Sequence, residues 1–205
     1  MDFATILRSS ARNYATNTAV WHDGDTQSYA QLYERACHLA NALRVLGLNK
    51  GDRVALLGAN GPQTVEQIAG VALGGFIRAA LYAHQTGEVN AYLLDHVGAR
   101  ALIVHESQTD ELAPHLDGVA SLEHVIVYRS VDGADRGAHV VGADRGAHDD
   151  GGHEGDADDR GDHDDYDRLL AGASAEDPNV PQGPDDGHVI RFSAGTTGRP
   201  KGIYH

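Results

Sequence analysis

The fold is decided by the stretch Ser28–Gln63, which reads SYAQLYERACHLANALRVLGLNKGDRVALLGANGPQ. Its first half predicts a helix from Ser28 to Leu46, because apolar residues recur there at steps of three and one that mark one helical face. Ser28 and Gln31 form a capping box at the start of this helix. Gly47 follows its end, where a left-handed residue is needed. A turn and a short apolar run then predict a buried strand.

Helices and strands alternate along most of the chain in the same way. Such alternation implies parallel strands with helices packed on a central sheet, which is an α/β fold. The second helix has a predicted apolar face of Val65, Ile68, Ala69, Ala72 and Leu73. The predicted strands are 53–57, 76–82, 101–105, 124–128 and 188–192. The predicted helices are 28–46, one between Gly61-Pro62 and Gly74-Gly75, one from Thr86 through Val97, 110–116 and 166–170.

Size and composition narrow the class of protein. The chain has 205 residues and is 41% hydrophobic, enough for one domain or one and a half. The net charge of −14 argues against nucleic-acid binding through a basic face. A single cysteine, Cys37, excludes an internal disulfide framework and is interpreted as a core residue rather than a nucleophile. Trp21 is interpreted as a packing residue.

No secretory signal is present, and Ala69–Ala83 is too short and interrupted to span a bilayer, so we expect a cytoplasmic protein.

Most of the negative charge lies in one segment. From Asp132 to Asp167, twelve Asp and one Glu are set against three Arg, a net charge of −10 that leaves −4 for the rest. The segment repeats GADRGAH at 133–139 and 142–148 and has almost nothing apolar to bury, which predicts disorder. We therefore expect three parts: an α/β portion (1–131), an acidic Asp/Gly/His-rich insert (132–165), and a helix, linker and loop (166–205). Histidines in the insert could hold a metal, but their spacing matches no known zinc or calcium loop, and a solvated linker is preferred.

The richest motif is Arg191–Gly202, which reads RFSAGTTGRPKG. Its glycines let the backbone approach an anion closely, and its hydroxyls add hydrogen-bond donors. Lys201 adds a positive charge suited to phosphate or to a negative transition state. The stretch therefore predicts a loop that cradles a polyphosphate. It is not the loop of the common NTPases, because that loop ends in Gly-Lys-Ser/Thr, whereas here Pro200 precedes the lysine and Gly202 follows it.

The order SAGTTGRPKG resembles the phosphate-loop signature of the AMP-forming adenylating enzymes, a superfamily that includes acyl-CoA synthetases. The resemblance extends to Ser28–Gln63, to LLDHVGARALIVHE (93–106) and to YDRLLAGA (166–173). One difference is that the family's usual Val-Pro-Leu-Asn-Pro run after the second helix is replaced by IRAALYAHQT (77–86).

The resemblance implies a two-step ligase reaction. A carboxylate attacks the α-phosphate of Mg-ATP to give an acyl-adenylate and pyrophosphate, and a thiol, commonly that of coenzyme A, then displaces AMP. ATP, Mg²⁺, coenzyme A and a small carboxylate substrate are thus the implied ligands. Lys201 is the implied catalytic residue, and it also belongs to the implied nucleotide-binding set. That set is Ser193, Ala194, Gly195, Thr196, Thr197, Gly198 and Lys201.

The resemblance also implies that other working parts of the family lie downstream of His205. These are the adenine-binding stretch, the magnesium-binding Thr-Glu pair, the ribose-binding Asp and a second catalytic Lys. The chain is accordingly expected to match the first part of such an enzyme and to be inactive alone. Two alternatives stay open: a non-catalytic nucleotide-binding remnant, and an interaction protein whose acidic insert binds cations or a basic partner. The sequence gives neither the acid that is activated nor the oligomeric state.

Overall fold

The computed structural model describes residues 3–129, 164–193 and 201–205 and confirms the predicted α/β class. The helices are α1 (Phe3–Asn13), α2 (Tyr29–Val45), α3 (Pro62–Leu73), α4 (Gly87–Val97), α5 (Thr109–Leu112) and α6 (Tyr166–Ala171). The strands are β1 (Thr18–His22), β2 (Asp25–Ser28), β3 (Arg53–Leu57), β4 (Ile77–Ala80), β5 (Ala99–His105), β6 (His124–Tyr128), β7 (Asp164–Asp165), β8 (Val189–Ser193) and β9 (Lys201–Tyr204). Short 3₁₀ turns flank α5 at Glu106–Gln108 and Ala113–Gly118.

Seven of these strands form one sheet in the order β7-β6-β5-β3-β4-β8-β9. Neighbouring strands pair in parallel from β7 to β8, and only the outermost pair, β8 with β9, is antiparallel. β1 and β2 form a separate antiparallel hairpin. Because parallel strands point the same way, the ends of β3, β4, β5, β6 and β8 meet at one edge of the sheet.

The helix boundaries follow the capping signals in the sequence. The Ser28 hydroxyl accepts a hydrogen bond from the amide of Gln31, and the Gln31 side chain accepts one from the amide of Ser28, which completes the predicted capping box. Thr86 caps α4 in a similar way, and Gly98 ends it in the left-handed region at φ 61°. Pro62 occupies the first turn of α3, where its missing N–H costs nothing.

Helices cover both faces of the sheet. On one face, α4 and α5 pack on a core that contains Leu57, Ala79 and Leu102. On the other face, α2, α3 and α6 pack on residues such as Val54 and Ile103. The side chains alternate between the two cores along each strand, as expected for a sheet buried on both faces. Cys37 lies in α2 and is fully buried, and burial raises the pKa of its thiol to about 11, so it carries no thiolate at neutral pH.

The predicted apolar face of α3 is partly wrong. Val65 is 37% exposed, whereas Glu66 and Gln67 are buried. The reason is that Glu66 has partners in the two neighbouring helices, Arg35 of α2 and Tyr166 of α6, and faces them in place of the valine. α3 also packs closely on α2. A Cβ at Gly70 of α3 would lie 2.8 Å from the Cβ of Leu39. Trp21, interpreted as a packing residue, is 69% exposed on β1.

A buried charge cluster joins α2, α3 and α6. The Glu66 carboxylate accepts a hydrogen bond from the hydroxyl of Tyr166 at 2.6 Å and pairs with the Nε of Arg35. The other side of the Arg35 guanidinium donates to Asp167 at 3.0 Å. Burial and the Glu66 charge both raise the pKa of Tyr166. The cluster therefore fixes the start of α6 against the helical layer.

The predicted disordered insert, 132–165, lies almost entirely outside the described residues. Its last two residues, Asp164 and Asp165, instead form β7 and pair with Ile126 and Val127 of β6. The Asp165 side chain also caps α6 by accepting hydrogen bonds from the amides of Asp167 and Arg168. Regular structure thus resumes two residues earlier than the sequence indicated.

A second ion pair ties the linker after α6 to the N-terminal helices. The Arg8 guanidinium donates two hydrogen bonds to the Asp177 carboxylate, at 2.7 and 2.9 Å. The Tyr33 hydroxyl donates a third at 2.6 Å. The hydrogen bonds from Arg8 are the main reason that the pKa of Asp177 falls from 3.8 to about 2.

This lowered pKa predicts an acid-sensitive contribution to stability. Because the folded pKa lies below the ordinary value, the contribution is present above pH 3.8 and is lost as the pH falls towards 2. We expect Asp177→Asn to lower the free energy of unfolding at pH 6 by about 1 kcal/mol, discounted for partial solvation of the pair. Urea unfolding at pH values between 2 and 6 measures the free energy of unfolding of the variant and of the unsubstituted chain. The exposed Asp185→Asn is the control, and equal pH profiles for the two variants would contradict the assignment.

Candidate functional site

The candidate site lies at the edge of the sheet where the parallel strands end. β3 ends at Leu57, β4 is followed by Leu81 and Tyr82, and β8 ends at Ser193. In open parallel sheets, ligands bind in the crevice outside the carboxyl ends of the strands. The sheet therefore places Ser193, where the predicted phosphate loop begins, at the edge where such folds bind ligands.

The first and the ninth residues of the motif's SAGTTGRPKG run lie directly opposite each other. Ser193 ends β8, Lys201 begins β9, and the two are paired across the antiparallel ladder. The Ser193 hydroxyl donates to the carbonyl oxygen of Lys201 at 3.5 Å. Lys201 is exposed, and its ammonium group pairs with no carboxylate of residues 3–129, 164–193 and 201–205. Ser193 and Lys201 are therefore paired across the ladder, and the lysine has no carboxylate partner in the described part of the chain.

Five of the predicted nucleotide-binding residues lie outside the described residues. They are Ala194, Gly195, Thr196, Thr197 and Gly198. Their roles stay predictions. The structure brings together only Ser193 and Lys201 from the predicted set.

Two arginines extend the positive charge of this part of the sheet. Arg78 of β4 pairs with Val189 in the parallel ladder, and strand alternation places Arg78, Arg191 and Ser193 on one face. That face is opposite to Ile190 and Phe192, which are buried in the core. Burial, followed by the nearby charge of Arg191, lowers the pKa of Arg78. Arg78 and Arg191 thus put positive charge on the face of the sheet that also carries Ser193, although the chain as a whole is acidic.

One residue that the sequence did not single out holds the entry to the loop. The hydroxyl of Tyr82 donates a hydrogen bond to the carbonyl oxygen of Phe192 at 2.5 Å. Tyr82 lies just past β4, and Phe192 is the residue before Ser193. No sequence pattern marks this contact, because the two residues are 110 positions apart.

At the same edge of the sheet, the ends of β5 and β6 pack closely against the residue that follows β3. His105 at the end of β5 and Tyr128 at the end of β6 contact each other edge to face, with ring centroids 5.0 Å apart. Gly58 follows β3, and a Cβ there would lie 2.0 Å from the hydroxyl of Tyr128. Burial raises the pKa of that hydroxyl. Only glycine leaves room for this aromatic pair beside the end of β3.

Residues 3–129, 164–193 and 201–205 contain no group of three or more His, Cys, Asp or Glu side chains that could hold a metal ion. The predicted histidine-bearing metal alternative concerns 139–163, which lie outside those residues. Within the same residues, no helix has both the length and the apolar character needed to cross a membrane.

Solved structures with the same fold are CoA ligases and related proteins. The anthranilate CoA ligase AuaEII, in complex with anthranoyl-AMP, superposes with a TM-score of 0.80 at 22% identity, covering 100% of this chain and 34% of that one. The N-terminal domain of FACL13 from Mycobacterium tuberculosis gives a TM-score of 0.74 at 23% identity, covering 100% and 44%. These likenesses establish the fold.

Curated relatives of similar sequence carry CoA ligase names. The 3-oxocholest-4-en-26-oate–CoA ligase of Rhodococcus rhodochrous is 31% identical over 207 residues, which are 99% of this chain and 32% of that protein. Feruloyl-CoA synthase of Amycolatopsis sp is 29% identical over 188 residues, which are 90% and 29% of the two chains. The chain thus spans about a third of the length of these relatives.

A family model for AMP-binding enzymes matches residues 7–205. The match includes both the helix–strand–helix stretch from Ser28 and the hairpin that carries Ser193 and Lys201. This confirms the resemblance drawn from the motif, and the chain belongs to the AMP-binding enzyme family.

Proposed function

We propose that this chain supplies the polyphosphate-binding hairpin of an ATP-dependent, AMP-forming acid–thiol ligase of the acyl-CoA synthetase type. The observation that carries the proposal is the pairing, at the carboxyl edge of the sheet, of Ser193 with an exposed Lys201 that has no ion-pair partner among residues 3–129, 164–193 and 201–205. A polyphosphate requires donors and positive charge that are not already engaged within the protein, and this pair supplies both.

The proposed roles follow from the side chains. The Ser193 hydroxyl can donate a hydrogen bond to a phosphate oxygen, once it exchanges its long contact of 3.5 Å with the Lys201 carbonyl. The Lys201 ammonium would neutralise charge on the β- and γ-phosphates while the α-phosphate is attacked by the substrate carboxylate. Ala194, Gly195, Thr196, Thr197 and Gly198 complete the proposed loop by resemblance.

The names of the relatives support a CoA ligase reaction for the whole enzyme. All the curated relatives named above are CoA ligases or synthases, and a chimera that is 25% identical to this chain is described as ATP-bound, with a TM-score of 0.65. Activation of a carboxylic acid with ATP, followed by transfer to coenzyme A, is therefore the proposed activity of the whole enzyme. Because the chain spans about a third of such proteins, its inactivity alone stays a prediction.

The proposal predicts that the 205-residue chain binds a polyphosphate weakly and in a salt-dependent way. Titration calorimetry with ATP and with inorganic tripolyphosphate should show binding by both, because the phosphate chain is the shared determinant. Lys201→Ala should weaken the affinity for both ligands about tenfold or more, whereas Lys201→Arg, which keeps the charge, should weaken it less. Equal affinities in all three proteins would count against the hairpin as a phosphate site and would favour a non-catalytic role.

A further inference from the structure

The stretch 77–86 is where this chain departs from the family pattern, and it contains Tyr82. The usual proline and asparagine of the family are absent here. In their place, Tyr82 directs its hydroxyl across to β8 and donates to the carbonyl oxygen of Phe192 at 2.5 Å. This stretch therefore contacts the residue immediately before Ser193.

This contact lies beyond the end of the regular pairing between β4 and β8. The parallel ladder pairs only Arg78 with Val189 and Ala79 with Ile190. Among the described residues, the hydroxyl of Tyr82 makes the next recorded link between these two segments, at Phe192. On its other side, β8 pairs only with β9, which is the outermost strand. The carboxyl-terminal half of β8 is thus held to the body of the sheet by the buried side chain of Phe192 and, through its backbone, by the hydroxyl of Tyr82.

Tyr82 is itself fixed from two directions. The side-chain amide of Asn90, a residue only 1% exposed, donates to the Tyr82 carbonyl oxygen at 3.1 Å. The preceding residue, Leu81, donates its amide to Leu56 of β3 at 3.0 Å. Tyr82 is 45% exposed, and its hydroxyl is the group that reaches β8. Because its backbone is held on both sides, the hydroxyl is presented to Phe192 from a fixed position.

We propose that Tyr82 is a positioning residue for the phosphate hairpin: its hydroxyl holds the Phe192 carbonyl and thereby sets the place of Ser193 and of the paired Lys201. This inference rests on the proposed function for its biological meaning, although the restraint on β8 is a property of the structure alone. Tyr82 touches no reacting group in this arrangement. It acts through the backbone on the two residues that would.

Amide hydrogen exchange on the 205-residue chain tests the restraint without any ligand. Tyr82→Phe removes only the hydroxyl. Tyr14→Phe is the matched control, because Tyr14 is 57% exposed and its side chain makes no recorded hydrogen bond to the described residues. In Tyr82→Phe we expect exchange in β8 and β9 to accelerate about 3- to 10-fold, the factor that one net hydrogen bond provides. Exchange in β3 and β5 should stay unchanged.

A ligand measurement separates positioning from general stability. The dissociation constant for tripolyphosphate should rise in Tyr82→Phe by a factor similar to the exchange effect, while Tyr14→Phe matches the unsubstituted chain. Unchanged exchange in β8 and β9, or equal acceleration in every strand, would overturn the inference. If the unsubstituted chain binds neither ATP nor tripolyphosphate, the proposed function fails, and the exchange data still decide whether Tyr82 holds the hairpin.

Discussion

Lys201→Ala is expected to lower the rate of carboxylate-dependent adenylation by about two to three orders of magnitude in a protein that carries this chain and the downstream region of its relatives. Removing one preorganised donor that stabilises transition-state charge typically costs this much. Little effect on folding is expected, because Lys201 is exposed and contributes no recorded ion pair among the described residues. The loss should therefore appear in kcat and in the ATP affinity, and not in the melting temperature.

Pyrophosphate release with a carboxylate substrate measures this loss. Lys201→Arg is the control, because it keeps the charge but changes the donor geometry. We expect it to retain more activity than the alanine variant. Unchanged kinetics in Lys201→Ala, at normal stability, would remove the central role of Lys201 in the proposal.

Glu66→Ala should have the largest effect on stability, a loss of about 3 kcal/mol in the free energy of unfolding. The Glu66 side chain is only 4% exposed and satisfies both the guanidinium of Arg35 and the hydroxyl of Tyr166. Removing it leaves a cation and a hydroxyl without their main partner in a buried place. The loss should lie at the lower end of the usual range, because Arg35 keeps 32% of its side chain in water.

Urea unfolding of the unsubstituted chain and of Glu66→Ala measures this loss in the free energy of unfolding. Glu34→Ala is the matched control, because Glu34 is an exposed carboxylate next to Arg35 on the same helix. Tyr166→Phe should cost less than Glu66→Ala, about 1 kcal/mol, since it removes one hydrogen bond and leaves the ion pair. If Glu66→Ala were no more costly than Glu34→Ala, the cluster would not stabilise the fold.

Local signals predicted much of the fold correctly. The capping box at Ser28, the first-turn Pro62 and the glycine after α4 each act within a few residues, so the sequence displays them directly. The strand Arg53–Leu57 was placed at its observed bounds for the same reason. The α/β class follows from these elements and is confirmed.

Long-range structure was harder to predict. The order of strands in the sheet depends on which segments meet in space, and no local pattern states it. α1, the β1–β2 hairpin and β9 were not predicted, although β1 pairs with β2 and β9 pairs with the preceding β8. The inward position of Glu66 was missed because its partner Tyr166 is 100 residues away.

In the candidate site too, local motifs were visible in the sequence and long-range contacts were not. Ser193 and Lys201 were recognised from their motif, and the structure pairs them across a hairpin that the motif alone did not predict. Tyr82 was not recognised, because its contact with Phe192 exists only after β4 and β8 have come together.

The outermost position of β9 has a consequence for how the protein responds to heat. An edge strand has a neighbour on one side only, and such strands separate at a lower free energy than central ones. Lys201 is carried on that strand. Warming should therefore detach Lys201, the proposed phosphate-binding cation, while the helices and the central strands are still intact, so that polyphosphate binding is lost before the fold melts.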